Sequence, residues 1–347
     1  MAFIGETVPK AKTGSAMGLL GTMSAIGTAL GPSLGGVLIA GLSWRAIFLV
    51  NAPLGILTYF LASWTLPADR HTPKTERVAF DTVGTLLLAL TLAAYALAMT
   101  RWRGNFGSSS FALWFIAVGG AALFVLVEAS ASSPLIQWTM FRDPVLSSSL
   151  VMSAMVSTVM MATLVVGPFY LSRALALNAA LVGIVMSIGP ITSMLMGIPA
   201  GRTVDRLGAP FMVIFGLSEM VVGLTALAAL PPLFGLAGYI AATAVLSPGY
   251  QFFQAANNTA VMRNVPPEQR GVISGLLSLS RNLGLITGAS VMGALFALGS
   301  ATTDIASARP EAVATGMQIT FAVAAILTLV ALAIALITRR SSSGDAS

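Results

Sequence analysis

The chain has no cysteine at all, one histidine, and only 9% charged residues in 347. Without cysteine there are no disulfides and no thiolate metal sites. With so little charge a soluble surface cannot be covered, since soluble domains carry about 25% charged residues. Lysine occurs only at positions 10, 12 and 74, and no G-x4-G-K-[ST] stretch is present. A Walker A phosphate loop is therefore excluded, and ATP is not expected to drive anything here. The net charge of +6 is scattered through short loops rather than gathered on one face. That argues against a nucleic-acid partner. The start MAFIGETVPKAKTG lacks the basic region, apolar core and cleavage site of a signal peptide. No nucleophile, base and oxyanion set assembles from the residues, so no enzyme, cofactor or metal site is expected.

What the chain does have is apolar length: 56% of its residues are hydrophobic. A helix needs about 20 apolar residues to cross a bilayer. Ten such segments are predicted: Gly14–Ala40, Ala46–Leu66, Val83–Met99, Phe111–Val127, Ser147–Leu171, Leu181–Ala200, Pro210–Leu230, Leu233–Ala256, Gly271–Leu298 and Ala314–Ile337. They are too long and too uniformly apolar for barrel strands, so an all-α polytopic membrane protein is expected. Alternate loops collect twelve basic residues on one side (Lys10, Lys12, Arg70, Lys74, Arg77, Arg142, Arg202, Arg206, Arg263, Arg270, Arg339, Arg340) against five on the other. The positive-inside rule places the first set, and both termini, in the cytoplasm.

Residues 8–39 resemble residues 265–296 at a constant offset of 257, with eleven of 32 positions identical, among them Val8, Pro9, Gly14, Gly18, Gly27, Gly31 and Gly36. Both copies start on the same side, so the repeat is parallel, as in the two halves of major facilitators. Three stretches carry a closer resemblance. The first is Gly18-x8-Gly27-x3-Gly31-Pro32-x2-Gly35-Gly36, followed by Trp44-Arg45 and Asn51-Ala-Pro53-Leu-Gly55. The second is Gly201-Arg-Thr-Val-Asp205-Arg206-Leu-Gly208, without a trailing basic pair. The third is NVPPEQRG with Arg281-Asn282-Leu-Gly284. Together they resemble the fourteen-span drug/proton antiporters (EmrB/QacA type) of the major facilitator superfamily. The first stretch is similar to that family's antiporter signature in its fifth helix.

The resemblance implies an order for the spans. The two repeat copies are the first and ninth spans, eight apart, where six is usual, so two extra helices lie between the halves. The ten spans then correspond to family helices five to fourteen, and the first four are expected to be missing. The implied layout is a remnant of the N-terminal bundle (1–66), two linker helices with their loops (67–146), a complete six-helix C-terminal bundle (147–338) and a cytoplasmic tail (339–347). The implied activity is proton-coupled efflux of amphipathic or cationic small molecules across the inner (plasma) membrane by alternating access. Lipid, substrate and protons are the partners, with a periplasmic adaptor protein as a further one. The alternatives are a non-transporting membrane fragment, or a facilitator or symporter for another solute.

Particular residues stand out. Gly27, Gly31 and Gly35 are spaced by four and share a face, which suits close helix packing, while Pro32 bends the helix. This face is either a tight crossing or a seal of the transport pathway. Asp205 and Arg206 are expected in a turn, where Asp205 caps the helix that follows or acts as a breakable latch. Glu219 and Arg281 lie well inside spans, where a charge normally faces a cavity or a partner. Glu219 can take and give a proton and is the candidate for coupling; Arg281 is a candidate for pairing, with Glu219 among others, or for positioning a cation. In SPGYQFFQAANNTAVMRN, Gln251, Gln254 and Asn258 share a face that, with Tyr250, is expected to line a cavity or to bond to neighbouring helices.

Overall fold

Thr13–Gly41 runs as one helix despite its glycines. The computed structural model describes residues 2–65, 81–101, 108–130, 135–263, 265–301 and 308–344. Its elements are α1 (Ala2–Thr7), α2 (Thr13–Gly41), α3 (Trp44–Thr65), α4 (Thr82–Arg101), α5 (Ser108–Ser130), α6 (Pro144–Phe169), α7 (Ala179–Leu207), α8 (Ala209–Met262), α9 (Arg270–Gly299) and α10 (Pro310–Gly344). No strand occurs among the described residues. The basic residues Arg70, Lys74 and Arg77 and the single histidine, His71, lie outside them.

Local chemistry sets the helix starts. Asp143 accepts from Val145 N (2.8 Å) with Pro144 in the first turn of α6, and Asn178 accepts from Leu181 N (2.9 Å) at the start of α7. Such caps satisfy amides that a helix leaves open, and their loss costs about 1 kcal/mol each. Asn178→Ala is expected to destabilise the detergent-solubilised protein by that amount, read as a lowered melting temperature with unchanged elution volume.

Eight helices among the described residues are long and apolar enough to cross a membrane. One of them, α8, runs for 54 residues, about 80 Å at 1.5 Å per residue, far beyond a hydrocarbon core of about 30 Å. It breaks after Pro231-Pro232 at Gly235, whose φ of 54° and ψ of −129° are not helical. The glycine contacts give the register of the two arms: Gly216 against Gly249 and Phe253, Gly223 against Leu246, and Gly238 against Leu230. That is an antiparallel hairpin, and the expected spans Pro210–Leu230 and Leu233–Ala256 are its two arms. A count of ten crossings needs this division and the inclusion of α2, which is not among the eight.

Small residues decide which helices touch. Gly284 and Gly288 of α9 place their Cα atoms against the backbone at Ala154 and Thr158 of α6, and Thr158 Oγ1 donates to the Gly284 carbonyl (3.0 Å). The two helices run parallel. α4 and α5 form an antiparallel hairpin, with Gly120 against Thr91, and α4 lies along α9, where Ser290 Oγ donates to the Met99 carbonyl (2.6 Å). A large apolar core is shared by α6 to α10, with Phe253, Phe296, Phe321 and Leu217 wholly buried. α3 shows the opposite pattern: Phe48, Leu49, Tyr59 and Trp64 are exposed. An apolar helix exposed along its length suits a lipid environment.

Candidate functional site

α2 packs against α7 in antiparallel fashion, and the contact is made by residues four apart. Gly197, Gly201 and Asp205 form one stripe on α7; Gly14 and Gly18 form the facing stripe on α2. The backbones touch here: a Cβ on Gly14 would meet the Gly201 carbonyl at 2.7 Å, and one on Gly18 would lie 2.9 Å from Gly201 Cα. At the end of this crossing the Asp205 carboxylate closes over the first turn of α2. Oδ1 accepts from Gly14 N (2.7 Å) and Oδ2 from Ser15 N (2.8 Å), with the Ser15 hydroxyl as a further donor. A carboxylate on open amides at a helix N-terminus is favoured by both hydrogen bonding and the helix dipole.

This differs from the expectation in three respects. The stretch Gly201–Leu207 is not a loop but the last two turns of α7. Only Gly208, at φ 87°, makes the turn, and it precedes α8 without a side-chain cap. Asp205 therefore caps α2 rather than the helix that follows, because helical periodicity turns its side chain onto the face that α7 presents to α2. Arg206, on the other side of the helix, is exposed and takes no part in these bonds. The glycine face also lies elsewhere than expected. Gly27 and Gly31 meet nothing within 4 Å, whereas Gly14 and Gly18 make the crossing. The surroundings of Pro32, Gly35 and Gly36, all within α2, lie outside the described residues.

Beyond the crossing the helices part around a cavity of about 380 Å³. α2 forms one wall; α6, α7, the second arm of α8 and α9 form the rest. The expected set Tyr250, Gln251, Gln254, Asn258 and Arg281 all line it. Gln251 Nε2 donates to the Ser193 carbonyl (3.0 Å) and faces Gly21, while Gln254 Nε2 donates to the Tyr250 hydroxyl (3.2 Å). Asn257 points the other way, to the Ser149 carbonyl of α6 (3.4 Å). The residues Met17, Leu20, Leu164, Met186 and Leu285 make much of the remainder apolar.

Glu219 is not in this cavity. It sits on the first arm of α8 against Gly249, behind the wall, and its Oε2 is buried without a hydrogen-bond partner. The suggested Glu219–Arg281 pair does not form, because Arg281 faces the cavity and Glu219 packs between the arms of α8.

Two features escaped the sequence reading. Gly189, Ser193 and Gly197 of α7 line the cavity as a stripe spaced by four, a signal that was present but hidden among apolar residues. Asp81 and Glu128 converge on Gly84 at one end of the α4–α5 hairpin. Asp81 Oδ1 accepts from Gly84 N and Glu128 Oε1 from Ile136 N, both at 2.8 Å, and the second oxygen of each is buried without a partner. Spacing along the chain could not reveal a pair formed across a hairpin. Among the described residues no group of three or more His, Asp or Glu is placed to hold a metal ion.

The profile of the Major Facilitator Superfamily matches residues 1–289 and, in a second match, residues 149–346. The chain belongs to the Major Facilitator Superfamily. Among curated relatives of this facilitator, the riboflavin transporter RibZ of Clostridioides difficile is 27% identical over 297 residues, covering 86% of this chain and 64% of RibZ. The drug efflux pump JefA of Mycobacterium tuberculosis is 30% identical over 293 residues, covering 80% of this chain and 54% of JefA. The chain thus spans between half and two thirds of the length of these relatives. Among solved structures, the nucleoside transporter NupG superposes with a TM-score of 0.52 at 15% identity, covering 97% of this chain and 85% of NupG, which speaks for the fold alone. Several of this facilitator's helices are long and apolar enough to cross a membrane, and its relatives include a drug efflux pump and a riboflavin transporter.

Proposed function

We propose that the protein is a proton-coupled exporter of amphipathic small molecules that works by alternating access, in the EmrB/QacA-type branch, with its ten spans equivalent to helices five to fourteen. The observation that carries this reading is the cavity itself. It lies between α2 on one side and α6 to α9 on the other, and the α2–α7 crossing that carries the Asp205 cap lies at one end, where Gly18 and Gly197 line it. A cavity between two bodies with a breakable contact at one end is what alternating access requires. In this proposal α2 and α3 belong to the first bundle, α4 and α5 are linkers, and α6 to α10 form the second bundle, whose hairpin α8 supplies two of six spans. The termini and the Asp205 end face the cytoplasm, by the loop charges. The drug-pump relatives favour efflux, and Glu219, buried behind the cavity wall, is the proposed coupling carboxylate.

The test uses the full-length protein in proteoliposomes, with fluorescent riboflavin and ethidium as probes. Uptake should follow an imposed inside-acid gradient and stop when a protonophore removes it. Glu219→Gln should lose the gradient dependence while keeping downhill exchange. Probe movement at equal rates with and without the gradient rejects coupled antiport. No movement of either probe rejects the export of neutral and cationic amphipathic solutes, and no movement of an added naphthalenesulfonate as well rejects the export of amphipathic solutes altogether.

A further inference from the structure

We propose that the cavity selects amphipathic solutes bearing an oxyanion, a carboxylate, sulfonate or phosphate, and that Arg281 holds that group. The inference deepens the transporter reading and rests on it. Arg281 is the one charged side chain among the described residues that line the cavity. A guanidinium is a permanent cation, and in a membrane span it is costly unless something answers its charge. Among the described residues that line the cavity none is an aspartate or glutamate, and Glu219 is turned away between the arms of α8. What shares the cavity wall with Arg281 is the Tyr250 hydroxyl, itself bonded by Gln254. Hydroxyl and amide groups orient and share an oxyanion but carry no charge to neutralise the guanidinium.

The rest of the site fits the same class of solute. A volume of about 380 Å³ accommodates a drug-sized body. Met17 and Leu20 of α2 and Leu164 of α6 offer adaptable apolar surface. The oxyanion would sit at Arg281, with bidentate bonding from the planar fork, and the apolar body would lie toward α2 and α6. This reverses the charge preference implied by the family resemblance, which pointed to cationic substrates.

The experiment compares three probes of one shape in the full-length protein in nanodiscs, with empty nanodiscs subtracted: naphthalenesulfonate, naphthalenesulfonamide and naphthyltrimethylammonium. Wild type should bind the sulfonate about ten- to a hundred-fold more tightly than the ammonium, the range expected for charged hydrogen bonds. Arg281→Gln should abolish that preference while the neutral sulfonamide binds as before, and Arg281→Lys should restore part of it. Retained sulfonamide affinity also shows that Arg281→Gln is folded. An ammonium bound as well as the sulfonate, or a sulfonate affinity unchanged in Arg281→Gln, overturns the proposal and leaves the cavity reading intact. Failure of all three to bind overturns both.

Discussion

Asp205→Ala should open the α2–α7 contact and expose residues that are now sealed. The substitution removes two charge-assisted bonds to backbone amides and one to a hydroxyl, and leaves Gly14 N and Ser15 N without acceptors at a partly buried helix start. Such bonds contribute about 1.5–3 kcal/mol each. A net loss of about 3 kcal/mol shifts a closed–open equilibrium about a hundred-fold. The absence of cysteine makes the measurement clean. A single Thr13→Cys, at a position only 3% exposed beside the cap, is then the sole thiol, and its rate of maleimide labelling reports opening. Labelling should rise by up to about two orders of magnitude in Asp205→Ala and by less in Asp205→Asn, which keeps one acceptor oxygen. Equal rates in wild type and Asp205→Ala would show that the cap does not hold the contact shut.

The second large effect is expected at Gly18. Any side chain there would press on the Gly197 carbonyl and on Gly201 Cα, both backbone atoms that cannot swing aside. Overpacking costs about 1–3 kcal/mol for small additions, so Gly18→Ala should lower the melting temperature and Gly18→Leu should separate α2 from α7 altogether. Gly27→Ala is the control. With nothing within 4 Å and a helix-interior glycine costing up to about 1 kcal/mol against alanine, it should hold or raise stability. Thermal melts followed by size-exclusion chromatography distinguish the two. A loss at Gly27 as large as that at Gly18 would mean that another helix docks on the open face.

That control bears on how far the sequence could be read. Helical spans follow from apolar run length, and each expected segment from Val83 onward falls on a helix. The polar face of Gln251, Gln254 and Asn258 follows from spacing alone and does line the cavity. The glycine pattern was legible only as a tendency to pack. Its repeat counterparts Gly284 and Gly288 do pack, on Ala154 and Thr158 of α6, while Gly27 and Gly31 face open space. Spacing places residues on a common face but says nothing of what stands opposite. The same limit explains Asp205, whose acceptor role was legible but whose partners lie some 190 positions away in the chain. It also explains Glu219: depth within a span marks a buried charge, yet which way it points depends on the hairpin fold of α8.

α2 is gripped at one end, while Gly27, Gly31 and Gly41 toward the other meet nothing within 4 Å. Its 29 residues make a rod about 43 Å long, held where Gly14 and Gly18 meet α7. Taking Gly18 as fulcrum, the arm to Gly41 measures about 35 Å, and a tilt of about 10° carries its tip about 6 Å. The short arm moves only about 1 Å in the same rotation, roughly the distance that breaks a hydrogen bond at Asp205. The helix is therefore a lever with a long throw: an event on the scale of one bond at its base becomes, at its far end, a gap wide enough to admit a small molecule.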